Sequence, residues 1–218
     1  MSQQWADYRV FWREFRRSFE TTGAVLPSGS ALAAALSRYV RDGSGSSGHG
    51  RRILEVGPGT GAVTRHIVAG LRPVDHLDLV ERNADFVACL AKRISSDADY
   101  RAAADRITLH HAGVEELSET EPYDVIISGL PLNNFSIGLV EQLLAKLRRL
   151  LAPSGTLSFF EYVAIRRVKA AMSSKAERDR LRRISQLLDT VLTAHEVGRN
   201  CVLANVPPAW VHHVRFES

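Results

Sequence analysis

Two carboxylates and three glycines carry the first chemical signal in this chain. Glu55 lies in the apolar run Ile53-Leu54-Glu55-Val56, and Gly57, Gly59 and Gly61 follow it with Pro58 and Thr60 between them. The run reads as a buried central strand. The glycines let the backbone turn sharply and let a ligand approach with no Cβ in the way. The spacing is G-x-G-x-G, not the G-x-G-x-x-G of pyrophosphate binders, and such a turn can be purely structural. Two features add to the signal. An unpaired charge is costly in apolar surroundings, so Glu55 is expected to have a cationic or donor partner. A second apolar run, from His76 to Val80, ends in Glu81. An acid about 20 residues beyond a glycine loop is placed to bind ribose hydroxyls.

The second signal is Ser128-Gly129-Leu130-Pro131-Leu132-Asn133-Asn134-Phe135. A proline just after a strand, in the loop region where α/β sheets bind ligands, gives a rigid turn whose carbonyls are free to accept. That suits the aiming of an amine nucleophile, although the same residues also make an ordinary strand-ending turn. Candidate amine contacts are the Leu130 carbonyl on Pro131, the side chains of Asn133 or Asn134, and Tyr162. Glu161 and Tyr162 alternate, so one of the two faces the site. Tyr162 is favoured because a phenol can donate or accept while its ring shields a cation.

The elements that position these residues alternate between strand and helix, which argues for a parallel sheet. Strands are expected near 52–56, 76–80, 106–110, 124–128, 155–162, 201–205 and 211–216. Helices are expected near 31–41, 61–71, 83–95, 136–151 and 174–194. Thr60 is the expected cap of the helix after the glycine turn, and Ser28 or Ser30 of the helix at 31–41. The Gly/Ser-rich stretch 43–50 reads as a flexible connector.

The chain has 218 residues, enough for one large domain. Its net charge is +4 and its two cysteines, Cys89 and Cys201, are too few for a disulfide framework. Both are expected as reduced core thiols, as in a cytoplasm. No run approaches the ~20 apolar residues of a membrane span, and the N-terminus lacks a secretion signal's apolar core. The eight histidines show no metal-ligand spacing, so no metal is expected.

Glu55-Val56-Gly57-Pro58-Gly59-Thr60-Gly61, followed by Leu77-Asp78-Leu79-Val80-Glu81, resembles motif I and the acidic loop of class I S-adenosylmethionine-dependent methyltransferases. The resemblance implies a Rossmann-like α/β fold over roughly residues 50–160. Its mostly parallel seven-stranded sheet has helices on both faces and a final antiparallel strand. It implies S-adenosylmethionine as cofactor and S-adenosylhomocysteine as product. Glu55 and the Gly57–Gly61 turn, Thr60 included, would face the methionine part; Glu81, with Arg82 beside it, would hold the ribose. Ser128 and Val114 would complete the pocket. At the usual G-D-A motif the chain reads Gly113-Val114-Glu115, so either Glu115 or backbone groups hold the adenine.

Ser128 to Leu132, Thr22 to Ser28, and Asn205 to Val211 together resemble bacterial phospholipid N-methyltransferases, from about Trp12 to Arg215. That implies stepwise methylation of phosphatidylethanolamine, with ornithine-lipid or ribosomal-RNA adenine N-methylation as alternatives and Gly23 covering the cofactor. Adenine N-methyltransferases carry an aromatic ring where this chain has Leu132. A stacked base is worth roughly 1–3 kcal/mol, so nucleic acid is disfavoured, unless Phe135 supplies the ring.

Residues 1–50 are thus expected as a helical extension and linker, and 51–218 as the methyltransferase catalytic domain. In the extension, Trp5, Tyr8, Trp12, Phe15 and Phe19 fall on one face of an amphipathic helix at 3–20. That helix either packs on the core or lies in a bilayer interface, its arginines on the polar face. Residues 166–183 hold eight basic against two acidic side chains. That local charge marks a solvated face, or a surface for anionic lipid or nucleic acid. The expected partners are an anionic membrane surface and an amine-bearing lipid, at the inner face of the cytoplasmic membrane; the oligomeric state stays open.

Overall fold

The structure is a computed structural model that describes residues 29–43, 50–162, 175–205 and 208–216. The helix expected at 3–20, Gly23 and its turn, the connector at 44–49 and the basic residues Arg166, Arg167 and Lys169 lie outside the described residues.

Seven strands form one sheet in the order β3-β2-β1-β4-β5-β7-β6. They are β1 (Arg52–Val56), β2 (His76–Glu81), β3 (Ile107–His111), β4 (Tyr123–Ser128), β5 (Leu151–Tyr162), β6 (Glu196–Val202) and β7 (Ala209–Val214). The pairs from β3 to β5 are parallel, and β7 runs antiparallel to both β5 and β6. The central strands are apolar on both faces because helices cover both. On one face Leu54, Ile126, Leu157 and Phe159 pack with α6 (Ile137–Leu150) and α7 (Lys175–His195). On the other, Ile53, Leu77, Val125 and Ile127 pack with α1 (Ser30–Leu36), α3 (Ala62–Val68) and α5 (Ala98–Arg101). Helix α2 (Arg38–Arg41) follows α1, and α4 (Ala84–Ser96) follows β2.

The parallel strands stand where the apolar runs place them; the C-terminal third departs. The strand expected at 201–205 is β6, at 196–202, and residues 203–205 form a turn. As an edge strand, β6 alternates exposed with partly buried residues and contains Gly198 and Asn200, so it lacks a continuous apolar run. Strand β7 starts at Ala209, two residues before the expected 211. Strand β5 starts at Leu151, which pairs with Tyr123 before the chain turns through Ser154 at φ 63°. The helix expected over 31–41 is divided at Ser37, whose Oγ donates to the Ala33 carbonyl at 2.8 Å and diverts the backbone. Gly29, not Ser30, is the cap of α1, and its N–H donates to Asn205 Oδ1 at 3.0 Å.

Arg51 enters the sheet from the end opposite the carboxyl ends of its parallel strands. Its side chain is 1% exposed and that of Asp75 is fully buried; they pair at 2.6 Å. Arg51 Nη1 also donates to the Val40 carbonyl at 2.8 Å, tying α2 to β1. Arg72 adds a second cation to Asp75, and the two guanidiniums hold its carboxyl far below the usual range against the opposing effect of burial. Cys201 is exposed rather than in the core, because it lies on the outer face of the edge strand; Cys89 is half-buried.

Candidate active site

The carboxyl ends of β1, β2 and β4 meet at the glycine turn. Gly57, Gly59 and Gly61 have φ of 71°, 57° and 86°, which L side chains adopt only with strain. A Cβ on Gly57 would lie 2.8 Å from Leu130 Cδ2, and one on Gly129 would lie 2.6 Å from the Gly57 carbonyl. The cofactor turn and the Pro131 loop are therefore in backbone contact. Gly61, not Thr60, precedes α3 as its cap, and no side chain caps that helix. The left-handed Gly61 takes the position Thr60 would need. Its carbonyl accepts from the buried Tyr100 hydroxyl at 3.1 Å.

Of the cationic or donor partner expected for Glu55, no cation is present among the described residues. Glu55 is 1% exposed, and burial pushes its carboxyl up to about 8, so it is neutral at pH 7. Thr64 Oγ1 draws it part of the way back and the nearby Glu81 pushes it further up. Thr64 falls short of hydrogen-bonding geometry, so Thr64 Oγ1 and Glu55 Oε2 are both without a partner among the described residues. Protonation relieves the charge that a cationic or donor partner was expected to relieve. The same burial, aided by Glu55, raises the Tyr100 phenol to about 12.

Glu81 is 1% exposed and accepts from the backbone N–H groups of Gly59 at 3.0 Å and Asn83 at 2.8 Å. Burial raises its carboxyl and these N–H groups oppose the rise. It thus fixes the glycine turn as well as facing the crevice that Val56, Gly57, Arg82, Gly113 and Val114 line with it. Arg82 pairs with Glu115 across the mouth of that crevice, where a Cβ on Gly113 would collide with both side chains. Burial raises the Glu115 carboxyl, against the pull of its own N–H and Arg82.

The Pro131 loop leaves β4 at Ser128, whose fully buried Oγ accepts from Leu130 N–H at 3.4 Å. A single 3-10 turn, Leu132–Asn134, shapes it. The Pro131 carbonyl accepts from Asn134 N–H at 2.9 Å and that of Leu132 from Phe135 N–H at 3.2 Å. Arg180 on α7 donates to the Asn133 carbonyl at 3.0 Å and to the Phe135 carbonyl. Among the described residues the Leu130 carbonyl accepts no hydrogen bond. Leu132 and Phe135 are each 2% exposed and belong to the core beneath the loop. Asn133 is buried and Asn134 half-buried.

Tyr162 and Glu161 end β5 on opposite faces. Tyr162 packs edge-on to Phe160, 5.0 Å between ring centres, and burial raises its phenol. Glu161 pairs with the buried His212 at 3.6 Å, and His212 Nδ1 meets Glu196 at 2.6 Å. Among the described residues no three His, Cys, Asp or Glu side chains converge as a metal set.

Thus Glu55, the glycine turn, Glu81, Arg82, Val114, Glu115, Ser128 and the Leu130–Asn134 loop converge on the carboxyl edge of the sheet. Tyr162 ends a neighbouring strand, and Gly23 lies outside the described residues. The sequence reading missed Arg180, which sits in a basic run and looks like surface charge, and Tyr100, which follows a helix with no motif of its own. The fit to S-adenosylmethionine rests on a turn with three glycines at positive φ, the buried Glu81 at the crevice, and the room beside Gly113. That cofactor supplies an electrophilic methyl on a sulfonium, so the protein's own task is to position and desolvate the acceptor.

Comparison with known proteins agrees with this geometry. A model described as "Methyltransferase domain" matches residues 54–157. The chain is 26% identical over 157 residues to the ornithine lipid N-methyltransferase of Singulisphaera acidiphila, covering 70% of this chain and 76% of that one. It is 31% identical over 85 residues to the tRNA1(Val) (adenine(37)-N6)-methyltransferase of Yersinia pestis, covering 38% of this chain and 33% of that one. In fold it is similar to an O-methyltransferase from Bacillus cereus in complex with S-adenosylhomocysteine, with TM-score 0.61, 14% identity and coverage of 95% and 91%. It is similar also to the O-methyltransferase TomG of Streptomyces achromogenes in complex with S-adenosylmethionine, with TM-score 0.58, 14% identity and coverage of 85% and 78%. With its matched methyltransferase domain, its sheet order and its glycine turn braced by Glu81, this chain carries a methyltransferase domain of the class I, Rossmann-like fold.

Proposed function

We propose that the acceptor is the primary amine of a lipid head group, methylated on nitrogen at the membrane surface. The observation that carries this is the loop after β4. Its Leu130 carbonyl accepts no hydrogen bond among the described residues, the adjoining Gly129 backbone touches the cofactor turn, and the loop presents no aromatic ring. A carbonyl that accepts from an amine orients its lone pair without taking the proton itself. A nucleobase would require a stacking surface, and both Leu132 and Phe135 are turned into the core. The relative matched over most of both chains is named for ornithine lipid, which supports a lipid acceptor. Ornithine lipid and phosphatidylethanolamine both offer a primary amine on a head group. The exposed basic residues Lys175, Arg182 and Arg183 of α7 fit a negatively charged bilayer, at about 1 kcal/mol per residue near its surface. This reading makes the enzyme peripheral on the inner face of the cytoplasmic membrane. No helix among the described residues is long and apolar enough to cross one.

The test is transfer of labelled methyl from S-adenosylmethionine to vesicles of phosphatidylethanolamine, vesicles of ornithine lipid, and transcribed tRNA, resolved by thin-layer chromatography. Label in either lipid is expected. Label in RNA alone would replace this reading with adenine methylation.

A further inference from the structure

We infer that Arg180 is a positioning residue for methyl transfer, acting through the backbone of the acceptor loop. The inference rests on the amine reading above. The loop is anchored from below by Leu132 and Phe135 in the core, but its own hydrogen bonding is slight. Its 3-10 turn is three residues long, and such turns have poor hydrogen-bond geometry. A guanidinium on a separate helix braces its backbone from outside. Arg180 Nη2 donates to the Asn133 carbonyl at 3.0 Å, and Nη1 donates to the Phe135 carbonyl two residues on. The guanidinium is itself oriented from its other edge by Glu177, one helical turn earlier, through Nε at 2.9 Å and Nη2 at 2.6 Å. Five fixed donors on a planar fork make this arrangement specific to arginine; a lysine reaches one point.

The consequence for chemistry lies in which carbonyls remain. Pro131 and Leu132 are capped by loop N–H groups, and Asn133 and Phe135 by Arg180. If the Arg180 bonds are lost, the carbonyls of Asn133 and Phe135 lose the brace that α7 gives them and the turn gains freedom to rotate. The Leu130 carbonyl, next to the Gly129 backbone that touches Gly57, then loses its fixed direction. Positioning is most of what this enzyme contributes, and misplacement by about 1 Å can lower a rate on the order of a hundredfold. Arg180 touches neither the cofactor crevice nor the glycine turn, so cofactor affinity should not follow the rate.

The experiment compares wild type, R180A, R180K and E177Q in three readouts. Titration with S-adenosylhomocysteine is expected to be the same within twofold for all four. Turnover on the lipid the wild type methylates is expected to fall about 30- to 100-fold in R180A at saturating acceptor, with R180K recovering only part and E177Q between them. Amide hydrogen exchange is expected to accelerate at 132–135 in R180A while the amides of β1 and β4 keep their protection. R180A turnover within threefold of wild type would overturn the inference, as would full rescue by lysine or a parallel loss of S-adenosylhomocysteine affinity. If the wild type methylates neither lipid, the proposed function fails, and the exchange data decide the clamp alone: loop protection unchanged in R180A refutes it.

Discussion

Replacing Glu55 with glutamine tests the least expected feature of the cofactor turn, a carboxylic acid kept neutral in the core. In the folded chain burial lifts this group to about 8, against an ordinary 4.5. Below pH 4.5 both folded and unfolded chains hold the proton and the group has no effect on stability. Between 4.5 and 8 the unfolded chain gives the proton up while the folded chain keeps it. Unfolding then releases a proton, so stability falls as pH rises through this window and levels off above 8. At about 1 kcal/mol per pH unit the loss is on the order of 4 kcal/mol across the window. Glutamine has nearly the same shape and no proton to lose. Urea unfolding of wild type and Glu55→Gln, without cofactor, at pH 5, 6.5 and 8 should therefore show the wild type weakening relative to the variant as pH rises. The difference in slope carries the test, since a buried amide can shift both ends of the variant's curve equally. Stability curves that stay parallel from pH 5 to 8 would mean that Glu55 is ionised and compensated, and the reasoning would fall.

Glu81→Ala should weaken S-adenosylmethionine binding about ten- to a hundred-fold by calorimetry. It removes a charge-assisted acceptor worth roughly 1.5–3 kcal/mol and releases the Gly59 and Asn83 N–H groups. Gly59→Ala, with nothing within 4 Å of its Cβ, should cost about 1–2 kcal/mol of left-handed strain, and Gly57→Ala, which adds to the same strain a Cβ 2.8 Å from Leu130 Cδ2, should weaken cofactor binding further. The same calorimetry ranks the two, and equal affinity in both variants would remove Gly57 from the turn's contact with the loop. Asp75→Ala leaves Arg51 buried without its carboxylate and should destabilise the chain by about 3–5 kcal/mol in chemical unfolding, with little change in cofactor affinity for what remains folded.

The central strands β1 and β4 were legible because each is a short apolar run ending near a glycine, as in Ile53 to Gly57 and Val125 to Gly129. The cofactor turn was legible for a related reason: only glycine tolerates the φ values that Gly57, Gly59 and Gly61 adopt. The edge hairpin was not. Strand β6 is held by pairing with β7 rather than by burial of its own side chains, so its sequence carries no period to find. The protonation of Glu55 was likewise hidden, since local sequence showed that the charge had to be relieved but not how. Arg180 was invisible because its two acceptors are backbone carbonyls 45 and 47 residues away, and backbone leaves no mark on composition.

The bond from Gly29 N–H to Asn205 Oδ1 fixes a point of departure. Asn205 lies in the turn between β6 and β7, and Val202 and Tyr162 both pair with Ala209, so that turn stands at the carboxyl edge of the sheet. Gly29, at the start of α1, is thereby held at the same edge of the sheet as the glycine turn, by a residue 176 positions further along the chain. Replacing Asn205 would cut that mooring while leaving every cofactor contact described above in place.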